Sequence, residues 1–464
     1  MRGFRESARR LASLATLLTV VFGAACGAAT NPGIPVGDAA RALSFARAPS
    51  TTGAGKIDHV IIIVQENRSF DNLFAGLRGA DTQPYGYDSQ GKKIALAPIT
   101  LATSWDLEHS FAGFFEDCDG RGTFPGTKCR MDGFDNEQVG CGLGSEPKCP
   151  NAHPQFAYVP RSEVRPYFDM ASQYVVGDRM FESMIDGSSF VSHQYLIAAQ
   201  ANSAVDVPFG GPWGCGGGPG DLVNTVTTER QLGPPVSPCF DNATLGDELD
   251  SAGISWKYYT HDAHGHAALW NGYQAIKHIR YGKDWKKDII SPQKRFFDDV
   301  SSGNLATVSW VTPTCRNSDH AGCRSKTGPH WVASLVNAIG ESRYWKTSAI
   351  FIFWDDYGGW YDHVPPHYVD YDGLGFRVPL VVVSPYAKRG YVSHVRYEHG
   401  SLLRFIEDRF ALGQLSASDA RAISPASDCF DFSQSPRKFR RISTPMTQRD
   451  FEAQPPDGRP ADTD

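Results

Sequence analysis

Several absences narrow what this chain can be. Its strongest apolar run, Leu11 to Phe22, is too short for a comfortable membrane span. Lys and Arg (45) do not outnumber Asp and Glu (51). A net charge of −6 therefore argues against nucleic acid as a partner, which needs a basic stripe, and against purely electrostatic docking on anionic lipid. No Cys-x-x-Cys or close Cys/His spacing occurs, which removes the usual zinc patterns. The Gly-rich stretch Gly214-Cys215-Gly216-Gly217-Gly218 has no Lys-Ser/Thr after it, so it is no P-loop. Internal repeats and Ser/Thr-rich stalks are also missing, and with them the main signs of an adhesin.

What is present begins with an export signature. Arg2, Arg5, Arg9 and Arg10 precede the apolar run, and small residues follow from Gly23 to Ala29. Residues 1–26 read as a signal peptide, Arg9-Arg10 fits loosely with a twin-arginine signal, and Cys26 is a candidate for lipidation. Removing that segment takes away four Arg and one Glu, which leaves the remainder at −9. The expected destination is exported: periplasmic, secreted or lipid-anchored. Nine further cysteines agree with an oxidising compartment. Eight fall into local pairs, Cys118 with Cys129, Cys141 with Cys149, Cys215 with Cys239 and Cys315 with Cys323, in loops rich in Gly, Pro and Asp. Spacing alone leaves their connectivity open, and Cys429 is left over. Residues 27–55 read as a linker, 56–415 as one catalytic domain and 416–464 as a weakly ordered polar tail.

Helical and strand patterns alternate through the central domain, which predicts an α/β fold with a largely parallel sheet flanked by helices and interrupted by disulfide-stapled loops. Two runs, His59 to Gln65 and Ala349 to Trp354, are continuously β-branched or aromatic, as in strands buried on both faces. Val175 to Asp178 reads as a short strand or edge, and Val378 to Pro385 as a late core strand. Glu66-Asn67 follows the first apolar run at once, and Asp355-Asp356 follows the second. Open α/β sheets bind ligands beyond the carboxyl ends of their strands. Adjacent buried acids are costly unless a cation neutralises them. Glu66, Asn67, Asp355 and Asp356 therefore read as an oxygen-rich metal site suited to phosphate-ester chemistry, with Asp58 and Asp71 more typical of caps.

Asp186-Gly187-Ser188-Ser189 opens a helical pattern. A turn of this kind offers backbone N–H groups and a hydroxyl at a positive helix end, although Ser188 or Ser189 also fits an ordinary N-cap. His109, His320 and His363 lie in Trp105 to His109, Asn317 to His320 and Tyr361 to His367. A lone His is by default a structural residue, but Asp362-His363 begins only a few residues past the diacid. Histidines so placed can donate to phosphoryl oxygens or protonate a leaving alkoxide.

In this order the segments Glu66 to Asp71, Gly187 to Tyr195, Ala275 to Tyr281, Ser318-Asp319-His320 and Trp354 to Gly359 resemble the secreted phosphoesterase family of bacterial non-specific phospholipases C and related acid phosphatases. The resemblance runs from about residue 57 to 410. It implies an alkaline-phosphatase-like core and one divalent ion (Ca, Mg, Mn, Fe or Zn) held by Glu66, Asn67, Asp355, Asp356 and the nucleophile. It puts that nucleophile on Ser189, which attacks phosphorus to give a phosphoseryl intermediate. His109 and His320 fall on family positions that contact the phosphoryl group, with His363 as an addition. Phosphomonoesters or phosphodiesters, phospholipid head groups among them, are the implied substrates. Val191-Ser192-His193 departs from the Pro and Asn-Arg common in phospholipase C members and suggests His193 as an extra phosphate contact. Sulfatases of the wider superfamily use a Cys/Ser-x-Pro-x-Arg stretch, which is missing at 187–195. The rival reading is a non-catalytic secreted lipid- or glycan-binding protein that keeps the fold.

Overall fold

Nine strands form the central sheet of the computed structural model, which describes residues 52–210, 213–261 and 269–459. The segment expected to be a signal peptide, Cys26 and most of the expected linker lie outside the described residues. In chain order the strands are β1 (His59–Gln65), β2 (Val175–Phe181), β3 (Trp256–Tyr259), β4 (Ile289–Ile290), β5 (Val308–Val311), β6 (Ser348–Trp354), β7 (Arg377–Val383), β8 (Tyr391–Ser393) and β9 (Tyr397–Glu398). Across the sheet they run β4-β3-β5-β1-β6-β7-β2-β8, with β9 also on β2. Only β7 is antiparallel to its neighbours. The expected α/β class and largely parallel sheet are therefore observed.

The two apolar runs are the adjacent central strands β1 and β6. Val60 to Val64 and every residue of β6 are buried, as their unbroken apolar character requires. Their register pairs His59 with Ser348 and Gln65 with Trp354, so the two strands end level. Around them pack helices α1 (Arg165–Gln173), α2 (Ser189–Ala198), α3 (Gly328–Gly340) and α4 (His399–Phe410). Helix α2 is buried along its whole length and stops where Ala199 adopts a left-handed conformation at φ 55°.

Two expectations need correction. Val175 to Asp178 belongs to an interior strand, because β7, β8 and β9 arrive from far along the chain to cover both its edges. The polar stretch after residue 415 packs on the domain rather than trailing from it. Its few apolar residues act as separated anchors: Ile442 is buried and exchanges hydrogen bonds with the Asn337 side chain, at 2.8 and 3.0 Å, and Phe451 is buried further on. Such isolated anchors leave no periodic trace in the sequence. The four local cysteine pairs are bridged as expected, and Cys429 is buried as a free thiol.

Candidate active site

The level ends of β1 and β6 set the first half of the site. Asp355 N donates to Gln65 O at 3.0 Å and Arg68 N to Asp356 O at 3.0 Å, so Glu66-Asn67 and Asp355-Asp356 continue side by side past the sheet. All four side chains are completely buried. Asn67 adopts φ 55°, a left-handed conformation that Asn tolerates better than most residues. Its amide Nδ2 donates to Asp356 Oδ2 at 2.9 Å and to His109 Nε2 at 3.1 Å. Gly358, at φ 62°, is required here on two counts, since a Cβ would also fall 2.3 Å from Asn67 O.

Helix α2 supplies the second half. Ser189, Ser192 and His193 stand at i, i+3 and i+4, on one face. Ser189 Oγ donates to Glu66 Oε2 at 3.4 Å, and Ser192 Oγ to Asp355 Oδ2 at 3.0 Å. His193 Nε2 lies 3.3 Å from Glu66 Oε1 and 3.7 Å from Asp355 Oδ2. Burial pushes its imidazole down to about 4, against the raising influence of Asp355, so the ring is neutral at pH 7. The tautomer follows from the hydrogen-bond pattern. Tyr258 OH donates to Trp270 O at 2.8 Å, so its oxygen accepts Nδ1–H of His193 at 3.1 Å. Nε2 then presents a lone pair to two carboxylates.

Glu66, His193 and Asp355 thus bring three buried donor atoms within 4.8 Å of one another. A lone pair facing two carboxylates repels them unless a cation lies between, and this donor set fits a divalent ion. Two other acidic groups differ in this respect. Asp71 and Asp362 already ion-pair with buried Arg377 at 3.3 and 3.0 Å, and the Asp250, Asp284 and Asp288 group lies near Lys283 and Lys287.

The histidines divide into two sets. His109 Nδ1 donates to Leu107 O at 2.6 Å, which turns Nε2 toward Asn67. The His320 ring packs against it edge-on at 6.4 Å between centroids. His363 is elsewhere, with Nδ1 2.5 Å from Asp71 Oδ2 and Nε2 3.0 Å from Asp81 Oδ1. The structure does not bring it to the Glu66 and Asp355 group, because its acidic neighbours hold both ring nitrogens on the Arg377 side.

His320 rides on a braced loop. Gln65 Nε2 donates to Asn317 O at 3.0 Å, and Gln65 Oε1 accepts Asp319 N at 2.9 Å. Asp319 Oδ2 accepts from Tyr167 OH at 2.7 Å and Trp354 Nε1 at 3.1 Å. From outside, Gln454 Oε1 accepts Asn317 Nδ2 at 2.7 Å and Asp457 Oδ2 accepts Arg316 N at 2.7 Å. The Cys315–Cys323 bridge closes the loop. Replacing both cysteines by Ser is expected to cost about 2–3 kcal/mol of stability and to lower kcat/KM about tenfold. Thermal melts and steady-state kinetics check this; an unchanged kcat/KM would show that Gln65 and Asp319 hold His320 unaided.

Of the expected site residues, Glu66, Asn67, His109, Ser189, Asp355 and Asp356 meet in one buried cluster, with His320 packed on its His109 side. The sequence suggested His193 as an extra phosphate contact, and the structure sets its Nε2 against Glu66 and Asp355. Its i+4 spacing from Ser189 was the available signal that both face the same strand ends.

The profile of the Phosphoesterase family matches residues 57–413. The non-hemolytic phospholipase C of Burkholderia pseudomallei is 25% identical over 76% of this chain, and the match spans 55% of that relative. Phospholipase C B of Mycobacterium tuberculosis is 24% identical, with 82% of this chain and 78% of the relative covered. Among solved structures, a protein in the alkaline phosphatase superfamily from Vibrio parahaemolyticus is similar over 81% of this chain and 72% of its own, at 9% identity and a TM-score of 0.37. A likeness that low carries no argument, and the fold class rests on the sheet and helices themselves.

Proposed function

The chain belongs to the phosphoesterase family, and from that premise we propose that it is an exported, metal-dependent phosphoric ester hydrolase acting through a phosphoseryl intermediate on Ser189. Its substrates in this reading are phosphomonoesters or phosphodiesters, phospholipid head groups among them. The observation that carries the reading is the convergence of Ser189, Glu66, Asp355 and a neutral His193 at two level strand ends.

A divalent ion held by Glu66, His193 and Asp355, with Asn67 and Asp356 alongside, would lower the pKa of the Ser189 hydroxyl and balance the buried carboxylates. The imidazole donor inclines the choice toward Mn, Fe or Zn over Ca or Mg. The chain's own groups do the rest. Ser189 Oγ attacks phosphorus, and its proton has an acceptor in Glu66 Oε2. Asn67 Nδ2 holds His109 through Nε2, and His320 stands beside it. Steadying a phosphoryl oxygen and delivering the proton that the departing alkoxide takes each need a protonated ring. His320 in that form does both, and His109 joins it once Nε2 is protonated and released from Asn67. Water then cleaves the phosphoseryl bond and restores Ser189.

Four disulfides support an oxidising destination, and lipidation at Cys26 remains part of this proposal. Every residue that a purely binding relative would be free to lose (Glu66, Asn67, Ser189, Asp355 and Asp356) is retained. The test is hydrolysis of phenyl phosphate and of dihexanoylphosphatidylcholine before and after chelation. Turnover that chelation abolishes and one divalent ion restores is the expected result. No turnover of either ester by metal-loaded protein at any pH tried would overturn the proposal in favour of the non-catalytic binding protein.

A further inference from the structure

Trp270 and Asn271 follow the segment not described and make up one wall beside this site. The Trp270 ring lies 6.0 Å from His320, which in turn packs on His109 at 6.4 Å. Its carbonyl is tied to Tyr258 OH and, through that hydroxyl, to His193. The next turn is pressed onto helix α2. Gln194 Nε2 donates to Gly272 O at 2.9 Å, and a Cβ on Gly272 would fall 2.5 Å from His193 O.

Both side chains are 2% exposed. Among the described residues Trp270 Nε1 has no hydrogen-bond partner, and neither amide atom of Asn271 has one. A buried N–H or amide without a partner costs about 1–3 kcal/mol, and such groups are rare in folded proteins. Three such atoms on consecutive residues, beside the His320 ring, match a site whose polar partner arrives with the ligand. The set is uncharged: two kinds of N–H donor and one carbonyl acceptor. It suits an oxygen-bearing neutral group rather than a second phosphate or a cation.

We propose that Trp270 and Asn271 form a specificity subsite for the alcohol portion of the phosphate ester, recognising a hydroxyl or ester oxygen close to the scissile bond. This rests on the phosphoesterase reading above and adds which residues meet the leaving group. Trp270 Nε1 and Asn271 Nδ2 donate to that oxygen, while Asn271 Oδ1 accepts from a hydroxyl when one is present. The pair selects among substrates and takes no part in the phosphoryl transfer itself.

The experiment compares kcat/KM on three esters, each relative to phenyl phosphate: ethyl phosphate, glycerol 3-phosphate and dihexanoylphosphatidylcholine. Wild-type protein is expected to prefer the glycerol-based esters to ethyl phosphate by about tenfold or more, the worth of one or two hydrogen bonds. A free polyol source gives that preference on glycerol 3-phosphate, and a lipid source gives it on the diester. Trp270→Phe and Asn271→Leu keep shape and remove the polar atoms, and each should reduce the preference about tenfold. Melting curves identify any variant that fails to fold, and the wild-type comparison does not depend on the variants. Equal wild-type rates on ethyl and glycerol-based esters would overturn the subsite, as would folded variants with unchanged preference. Loss of hydrolysis on every ester in the wild type would instead overturn the phosphoesterase reading beneath it.

Discussion

Ser189→Ala is expected to lower kcat on every phosphate ester by about a thousandfold or more while the melting midpoint moves by no more than a few degrees. The hydroxyl is small and buried at the first turn of α2, where it donates to Glu66 Oε2 at 3.4 Å. Its loss therefore removes the attacking atom and little packing. Ser188→Ala is the necessary companion. Ser188 Oγ is equally buried, lies one residue away and makes no hydrogen bond, so it is the obvious competitor for the role. Of the two, Ser189 has its oxygen at the carboxylate group, so Ser188→Ala should cost far less. Near wild-type turnover in Ser189→Ala, or the deeper loss in Ser188→Ala, would sink the assignment. Rapid-quench trapping of phosphate on the protein supplies a second reading, because the covalent label should be absent from Ser189→Ala alone.

Asp355→Asn should have the next largest effect. Asp355 Oδ2 receives Ser192 Oγ at 3.0 Å and stands 3.7 Å from His193 Nε2, while Oδ1 lies 3.4 Å from Asn67 N. The substitution keeps the shape and removes one of the charges that would attract a divalent ion. Metal content after dialysis should fall from about one ion per chain to a small fraction of that, and kcat/KM about a hundredfold or more. Thermal stability separates this from a fault in chemistry. An ion that binds only the folded state stabilises it, so chelation should lower the melting midpoint of the wild type and leave that of the variant nearly unmoved. A variant that retained a full complement of metal would show that Asp355 is no ligand.

The sequence made the scaffold readable where a single segment carries its own signal. Unbroken β-branched and aromatic runs announced β1 and β6, and the acids directly after them announced a site at the strand ends. Their equal registration was not legible, because it depends on how two segments almost three hundred residues apart align. The same holds for Val175 to Phe181, whose covering strands come from residues 377–398. His363 was misjudged for a related reason. Closeness to Asp355 in sequence suggested closeness in space, but the Gly358-Gly359 turn carries the chain away to the Arg377 side. His193 was visible as a departure from the family pattern, yet its neighbours were not, since Glu66 and Asp355 reach it only through tertiary packing. Trp270 and Asn271 left no signal at all. Their interest lies in hydrogen bonds they do not make, which composition and periodicity cannot record.

The brace on the His320 loop has a consequence for how the protein is made. Gln454 and Asp457 grip Asn317 and Arg316 across 137 and 141 residues of sequence. During synthesis, everything from β1 through the diacid can emerge and pair before those two residues leave the ribosome. The loop that carries His320 is therefore among the last parts to be secured. A nascent or truncated chain would carry the ligand cluster with this loop held through Gln65, Asp319 and the Cys315–Cys323 bridge, and without the grip of Gln454 and Asp457.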